Sequence, residues 1–158
     1  MKTLTEDKTS KKYKDLVALI LDKHKATYLG AGDNGVALEL PDGKVIKVTT
    51  DSVELKHAET LANYNFSCII PIHKIKVLSQ GLGYIVMENA EQLTADEKTL
   101  IKRTISQAEA YLLDDDEEAL KIFLKAPKLL EFLTGIKTAY TRAGLDIEEI
   151  DYSADNLM

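Results

Sequence analysis

Between Ser10 and His24 apolar residues return at the spacing of a helix, with Tyr13, Leu16, Val17, Ile20 and Leu21 on one face. Ser10 stands where a hydroxyl can cap the first turn. The nine residues before it are polar and predict a frayed end. Past Ala26 the pattern changes to short apolar runs. Residues 27–29 begin a strand, 30–35 make a turn, and 36–40 return as a second strand. Pro-Asp-Gly at 41–43 is a tight-turn signal, and residues 44–49 follow as a third strand. Asp51 or Ser52 opens a helix reaching about residue 64, its inner side marked by Leu55, Ala58, Leu61, Ala62 and Asn65. Residues 72–78 alternate imperfectly as a fourth strand, and Gln-Gly-Leu-Gly at 80–83 is the turn after it. Residues 84–87 are short and wholly apolar, as expected of a strand inside the sheet. The pattern predicts an α+β fold with a five-stranded antiparallel sheet and one helix inserted after the third strand.

The remainder is patterned for helices. Thr94 caps a helix over 95–113, with Leu100, Ile101, Ile105, Ala108 and Leu112 inward. The acidic run 114–118 suits the positive end of a helix dipole, so it starts a helix rather than holding a metal. Leu120 to Leu124 follow it. Pro127 begins a last helix running to Arg142, which Gly144 ends. Composition shifts near Glu91. Three segments are therefore expected: a helical extension over 1–26, a strand-rich lobe over 27–90, and a helical lobe over 91–158.

Composition narrows the function classes. The 158 residues are 45% hydrophobic, enough for a core, and carry a formal net charge of -6 with a pI near 5.1. That balance opposes nonspecific attachment to nucleic acid or to an anionic membrane. No apolar run is long enough to span a bilayer, and the polar start has no signal-peptide core, so a cytoplasmic protein is expected. Cys68 is the one cysteine, which excludes an intrachain disulfide and reads as packing. One cysteine and three scattered histidines give no zinc spacing.

Two segments carry candidate chemistry. Gly30, Gly32 and Gly35 form GxGxxG. A dinucleotide fingerprint needs a helix after the glycines, but the residues after Gly35 alternate as a strand. Strand, glycine loop and strand can instead bring backbone amides close to a phosphate. An ordinary glycine-turned hairpin is the alternative. Lys47 follows twelve residues after Gly35, in Val-Ile-Lys-Val. A strand lysine there can reach under the loop and hold phosphate, and Val45 shares its face and can line the base end of such a site. The alternative is a surface lysine on a half-exposed strand. A buried ammonium needs a counter-charge, and the following helix offers Glu54 and Glu59. Glu59, beside Ala58, is the expected partner.

In this order the segments resemble the protein-kinase-like superfamily of bacterial and phage phosphotransferases. Gly-Ala-Gly-Asp-Asn-Gly resembles its glycine-rich loop and Val-Ile-Lys-Val its third-strand lysine motif. Glu59 resembles its helix glutamate, and residues 84–90 its fifth strand and hinge. Asp151-x-x-x-x-Asn156 resembles its catalytic loop. The resemblance covers about residues 27–158. It implies ATP and Mg2+ as ligands, with Met87 as gatekeeper and backbone groups of Glu88 and Ala90 meeting the adenine. Asp151 would guide the acceptor hydroxyl, and Asn156 would help hold magnesium. Glu149 stands where the family commonly has histidine, and Ser153 where protein kinases commonly have a basic residue. The latter favours small-molecule acceptors over peptides. The family's main magnesium aspartate would fall past Met158, so an N-terminal portion of such an enzyme is expected. A catalytically inactive pseudokinase that binds a protein through the acidic helical lobe is the alternative, and an unrelated α+β domain is a third reading.

Overall fold

A computed structural model describes residues 10–66, 68–79, 81–90 and 94–147. The described residues form an α+β protein with a five-stranded antiparallel sheet. Its elements are α1 (Lys11–Lys23), β1 (Thr27–Ala31), β2 (Gly35–Glu39), β3 (Val45–Thr49), α2 (Ser52–Leu61), β4 (Ile72–Ser79), β5 (Leu82–Met87), α3 (Ala95–Asp114), a 3-10 helix (Glu117–Lys125) and α4 (Pro127–Ala143). They fall into two compact units. One holds residues 1–65 and 70–89, and the other holds 66–69 and 90–158.

In the first unit the strand order is β1-β2-β3-β5-β4, so β5 lies inside the sheet. Its two faces are packed differently. Val36 and Leu38 on β2 stand beside Val48 and Ile46 on β3, and these side chains bury with Leu82 against Tyr13 and Ile20 of α1. Ser10 caps α1 by accepting the Tyr13 amide. The helix expected as an N-terminal extension thus belongs to the same unit as the sheet and covers one face of it. Leu55 and Ala58 of α2 pack with Ile85 on the opposite face, where Ile72, Ile75 and Met87 join them half-buried. Burying a leucine as completely as Leu55, 2% exposed, stabilises by about 1.5–3 kcal/mol. That contact fixes α2 on the sheet.

Two glycines set how closely strands and helix approach. A Cβ on Gly35 would lie 2.1 Å from the Val48 carbonyl oxygen, so the β2–β3 pairing at this point admits no side chain. A Cβ on Gly83 would meet the Lys76 carbonyl oxygen at 2.5 Å and the Leu55 side chain at 2.9 Å. Glycine here lets α2 seat against β5. Gly35→Ala is expected to destabilise the first unit by about 2 kcal/mol or more, because backbone rather than a flexible side chain must move. Chemical denaturation followed by circular dichroism checks this, and a loss below about 0.5 kcal/mol would contradict the close pairing.

The second unit is helical. Phe123 and Leu133 are almost fully buried, as are Ile101, Ala108 and Leu112 of α3. Asp114 and Asp115 close α3, whereas Asp116 accepts the Glu118 amide and starts the 3-10 helix, so only the second part of the acidic run opens a helical segment as expected. The helix is 3-10 rather than α, and it stops where Pro127 begins α4. Lys137 of α4 ties the end of α3. Its ammonium donates to the Tyr111 carbonyl at 2.7 Å, pairs with Asp115 at 2.5 Å and lies 4.2 Å from the centre of the Tyr111 ring. A cation there meets the negative end of the α3 dipole and steadies Asp115, whose φ of 59° is left-handed. Cys68 packs where a Gly135 side chain would stand, its sulfur 3.2 Å from that Cβ position. Burial pushes its thiol pKa up, which lowers its thiolate fraction and its reactivity.

Thr94 and Glu97 form a reciprocal capping box at the start of α3. The Thr94 backbone amide, and then its hydroxyl, hold the Glu97 carboxyl below the usual glutamate range. A lowered carboxyl pKa stabilises the folded helix end fully above the ordinary glutamate value. That contribution is lost as pH falls through the lowered one. Protection of the Thr94 and Glu97 amides, taken as exchange relative to the intrinsic rate at each pH, is therefore expected to fall on acidification in the wild type. In Glu97→Ala that protection should be low at every pH, and a wild type without this acid step would contradict the box.

Candidate functional site

The candidate site lies on the α2 face of the sheet. Val45 and Lys47 alternate with Ile46 and Val48 along β3, so they point away from α1. Across the strands Lys47 stands opposite Ala37 on β2 and Ile85 on β5, while Val45 stands opposite Met87. An ammonium thus sits beside an apolar row made by Ala37, Val45, Ile85 and Met87. The expectation that Val45 shares the face of Lys47 agrees with this register. Ala37 and Ile85 were not predicted for the site. The signal for them is strand pairing, which no single stretch of sequence displays.

The carboxylate paired with Lys47 is that of Glu54, not Glu59. Helix phase is the reason. Asp51 caps α2 with its side chain, accepting the Val53 and Glu54 amides at 2.8 Å and 3.3 Å, so the helix begins at Ser52. At about 100° per residue, Glu54 lies within about 10° of the mean direction of the buried Leu55, His57, Ala58 and Leu61. Glu59 lies about 130° from that direction and is exposed. Being beside Ala58 in sequence turns a residue away from Ala58 in space.

The ion pair positions more than it stabilises. The Lys47 side chain keeps 38% of its exposure and that of Glu54 keeps 28%. Partly solvated pairs of this kind contribute about 0–1 kcal/mol. Its structural effect is to keep the lysine against the sheet face.

The glycine hairpin above this row is shorter and more tied than expected. Gly30 lies within β1 and Gly35 begins β2, leaving Gly32, Asp33 and Asn34 as the connection. The Gly32 amide donates to the Gly35 carbonyl at 3.0 Å and so closes the turn. The Asn34 carbonyl accepts the Thr50 amide at 2.8 Å and the Thr50 hydroxyl at 2.9 Å. The Asn34 side-chain amide reaches Asp51 at 3.5 Å. The hairpin is thereby fastened to the residues that cap α2, the helix that carries Glu54. Gly30 and Gly32 have open space where a side chain would be, whereas Gly35 is filled by β3 backbone. Of the three predicted glycines, two leave room for a ligand and one serves strand packing.

At the other end of β5, Met87 packs half-buried with the Leu55 cluster. The Glu88 amide donates to the Pro71 carbonyl at 3.0 Å, and the Glu88 carboxylate meets His73 at 2.6 Å. That amide is committed within the unit. Ala90 begins the second unit. Asp151 and Asn156, predicted for the acceptor and the metal, lie outside the described residues, as does Glu149. Among the described residues no cluster of three or more His, Cys, Asp or Glu side chains could hold a metal ion. The metal assignment therefore rests on Asn156, outside the described residues. No helix among the described residues is long and apolar enough to cross a membrane.

No family model matches the chain, and neither a curated protein nor a solved structure matches it.

The pairing can be separated from its alternative by mutation. Glu54→Gln and Lys47→Met are each expected to change stability by less than about 1 kcal/mol, with a coupling between them of about 0.3–1 kcal/mol. Glu59→Gln should show no coupling to Lys47→Met. A larger coupling for Glu59 than for Glu54 in the same denaturation series would overturn the pairing described here.

Proposed function

We propose that this chain is the nucleotide-binding portion of a cytoplasmic, kinase-like, ATP-dependent phosphotransferase. One observation carries the reading. A strand lysine is held by a carboxylate from the next helix, beside an apolar row and on the sheet that carries the glycine hairpin. A cation next to a flat apolar surface has the complementarity that a phosphate attached to a purine requires. The α+β pattern, with its helix inserted after the third strand, agrees with the same reading.

In this proposal Lys47 takes the phosphates and Glu54 holds it in place, the role first expected of Glu59. Val45 and Met87 meet the base, with Ala37 extending that surface, while Ile85 lies beneath α2 and supports it from within the core. The hairpin at Gly30 and Gly32 closes over the phosphates. Asp151 would orient the acceptor hydroxyl and receive its proton. Magnesium, held in part by Asn156, would neutralise charge on the transferring phosphoryl group. The residues thus contribute positioning and electrostatics.

Calorimetry with ATP, in the presence and absence of magnesium, tests the reading on the 158-residue chain. Binding that magnesium strengthens is expected, as is at least a tenfold loss in Lys47→Met with little change in melting temperature. Equal affinity of wild type and Lys47→Met would remove Lys47 from the site.

A second reading has its own support. The hairpin is pinned through Asn34 to Thr50 and Asp51, and the Gly32 amide is engaged within the turn. A fold in which those contacts are purely structural is a non-catalytic binding module of the pseudokinase kind. A well-folded chain that takes up no ATP at millimolar concentration is the outcome that favours it.

A further inference from the structure

We propose that the groove between the 3-10 helix and α4 is a docking site for a basic, amphipathic helix of a partner protein. The groove is a shallow depression of about 640 Å³, broadly open to solvent, and lies wholly within the second unit. Its floor is apolar, made by Leu120, Leu124, Pro127 and Leu130. Leu124 is 67% exposed, and the neighbouring Ile122 is 46% exposed. Covering Leu124 would give the groove an apolar interface anchor.

Charge selects the occupant. Glu117 and Glu131 line the groove, and neither forms an ion pair among the described residues. Lys121, the cation on the lining, is already paired with Glu118. The groove therefore offers apolar surface and two uncommitted carboxylates, while its own positive charge is neutralised. Residues 90–158 carry 15 Asp and Glu against eight Lys and Arg, so the unit as a whole draws a cationic partner. Lys125 and Lys128 flank Pro127 in the chain. The partner's cations are thus expected over Glu117 and Glu131 rather than at the Pro127 corner.

Size selects the shape. From Pro127 to Thr134, both on the groove, α4 rises about 10 Å at 1.5 Å per residue. Two turns of a partner helix span the same distance, which sets apolar anchors at i, i+3 or i+4, and i+7. This site stands apart from the nucleotide reading and does not depend on it.

The probe is a labelled 14-residue helical peptide with leucines at those spacings and lysines on its flanks, read by fluorescence anisotropy. A matched peptide carries glutamates in place of the lysines. The lysine peptide is expected to bind the full chain at least tenfold more tightly than the glutamate peptide. Leu124→Asp should weaken it at least tenfold and Glu131→Lys several-fold. Both sites are exposed, so the variants are expected to keep the wild-type circular dichroism spectrum. Leu19→Asp, at an exposed leucine on α1, should leave binding unchanged. Equal binding of both peptides, no binding, or insensitivity to Leu124→Asp would overturn the proposal. So would sedimentation showing a wild-type dimer that Leu124→Asp converts to monomer, because the occupant would then be a second copy of this chain.

Discussion

A lysine set between buried valines must satisfy its charge without disturbing the packing on either side of its strand. In β3 the residues Ile46 and Val48 are committed to α1, and Val45 and Thr49 are buried on the other face. Lys47 can reach a counter-charge only from the element that crosses that second face. Helix α2 supplies it, and its position is fixed by Leu55 against Ile85 and by the space that Gly83 leaves. The ion pair adds little to stability. The apolar contacts that hold α2 determine where Glu54 falls, and the pair then holds the ammonium beside the apolar row.

The hairpin depends on the same helix. Asn34 accepts from Thr50 and reaches Asp51, the residue whose carboxylate caps α2. The loop, the cap and the glutamate thus form one connected set. A change in the loop is felt at the helix start, and a shift of the helix is felt by Lys47. This arrangement suits a site that needs its cation and its loop in fixed register. It equally suits a rigid structural corner, and for that reason ligand binding decides between the two functions.

Much of the fold was legible because its signals are local. Ser10, Thr94, Pro127 and Gly144 mark helix ends through hydrogen bonds or dihedral limits that act within a few residues. The apolar brevity of β5 announced its interior place in the sheet. What the sequence concealed depends on phase and pairing. Glu59 was the expected partner because it adjoins Ala58, but the phase set by Asp51 directs Glu54 inward instead. Gly35 looked like part of a phosphate loop, although its need for hydrogen in place of a side chain arises from Val48 across the strand pair. Ala37 and the buried Ile85 came to flank Lys47 through registers that no motif encodes. The acidic run was expected to start one helix, but its first two residues end α3 and only the rest start a segment, of the tighter 3-10 kind.

The central claim is that Lys47 faces the phosphates of a bound nucleotide, and covalent capture tests it most directly. An acyl-phosphate derivative of ATP transfers its acyl group to a lysine amine lying at the phosphates, releasing the nucleotide. Mass spectrometry of the labelled chain is predicted to find the acyl group on Lys47, and excess ATP should abolish it. Labelling spread over exposed lysines such as Lys56 and Lys74, with Lys47 unmodified or indifferent to ATP, would contradict the account.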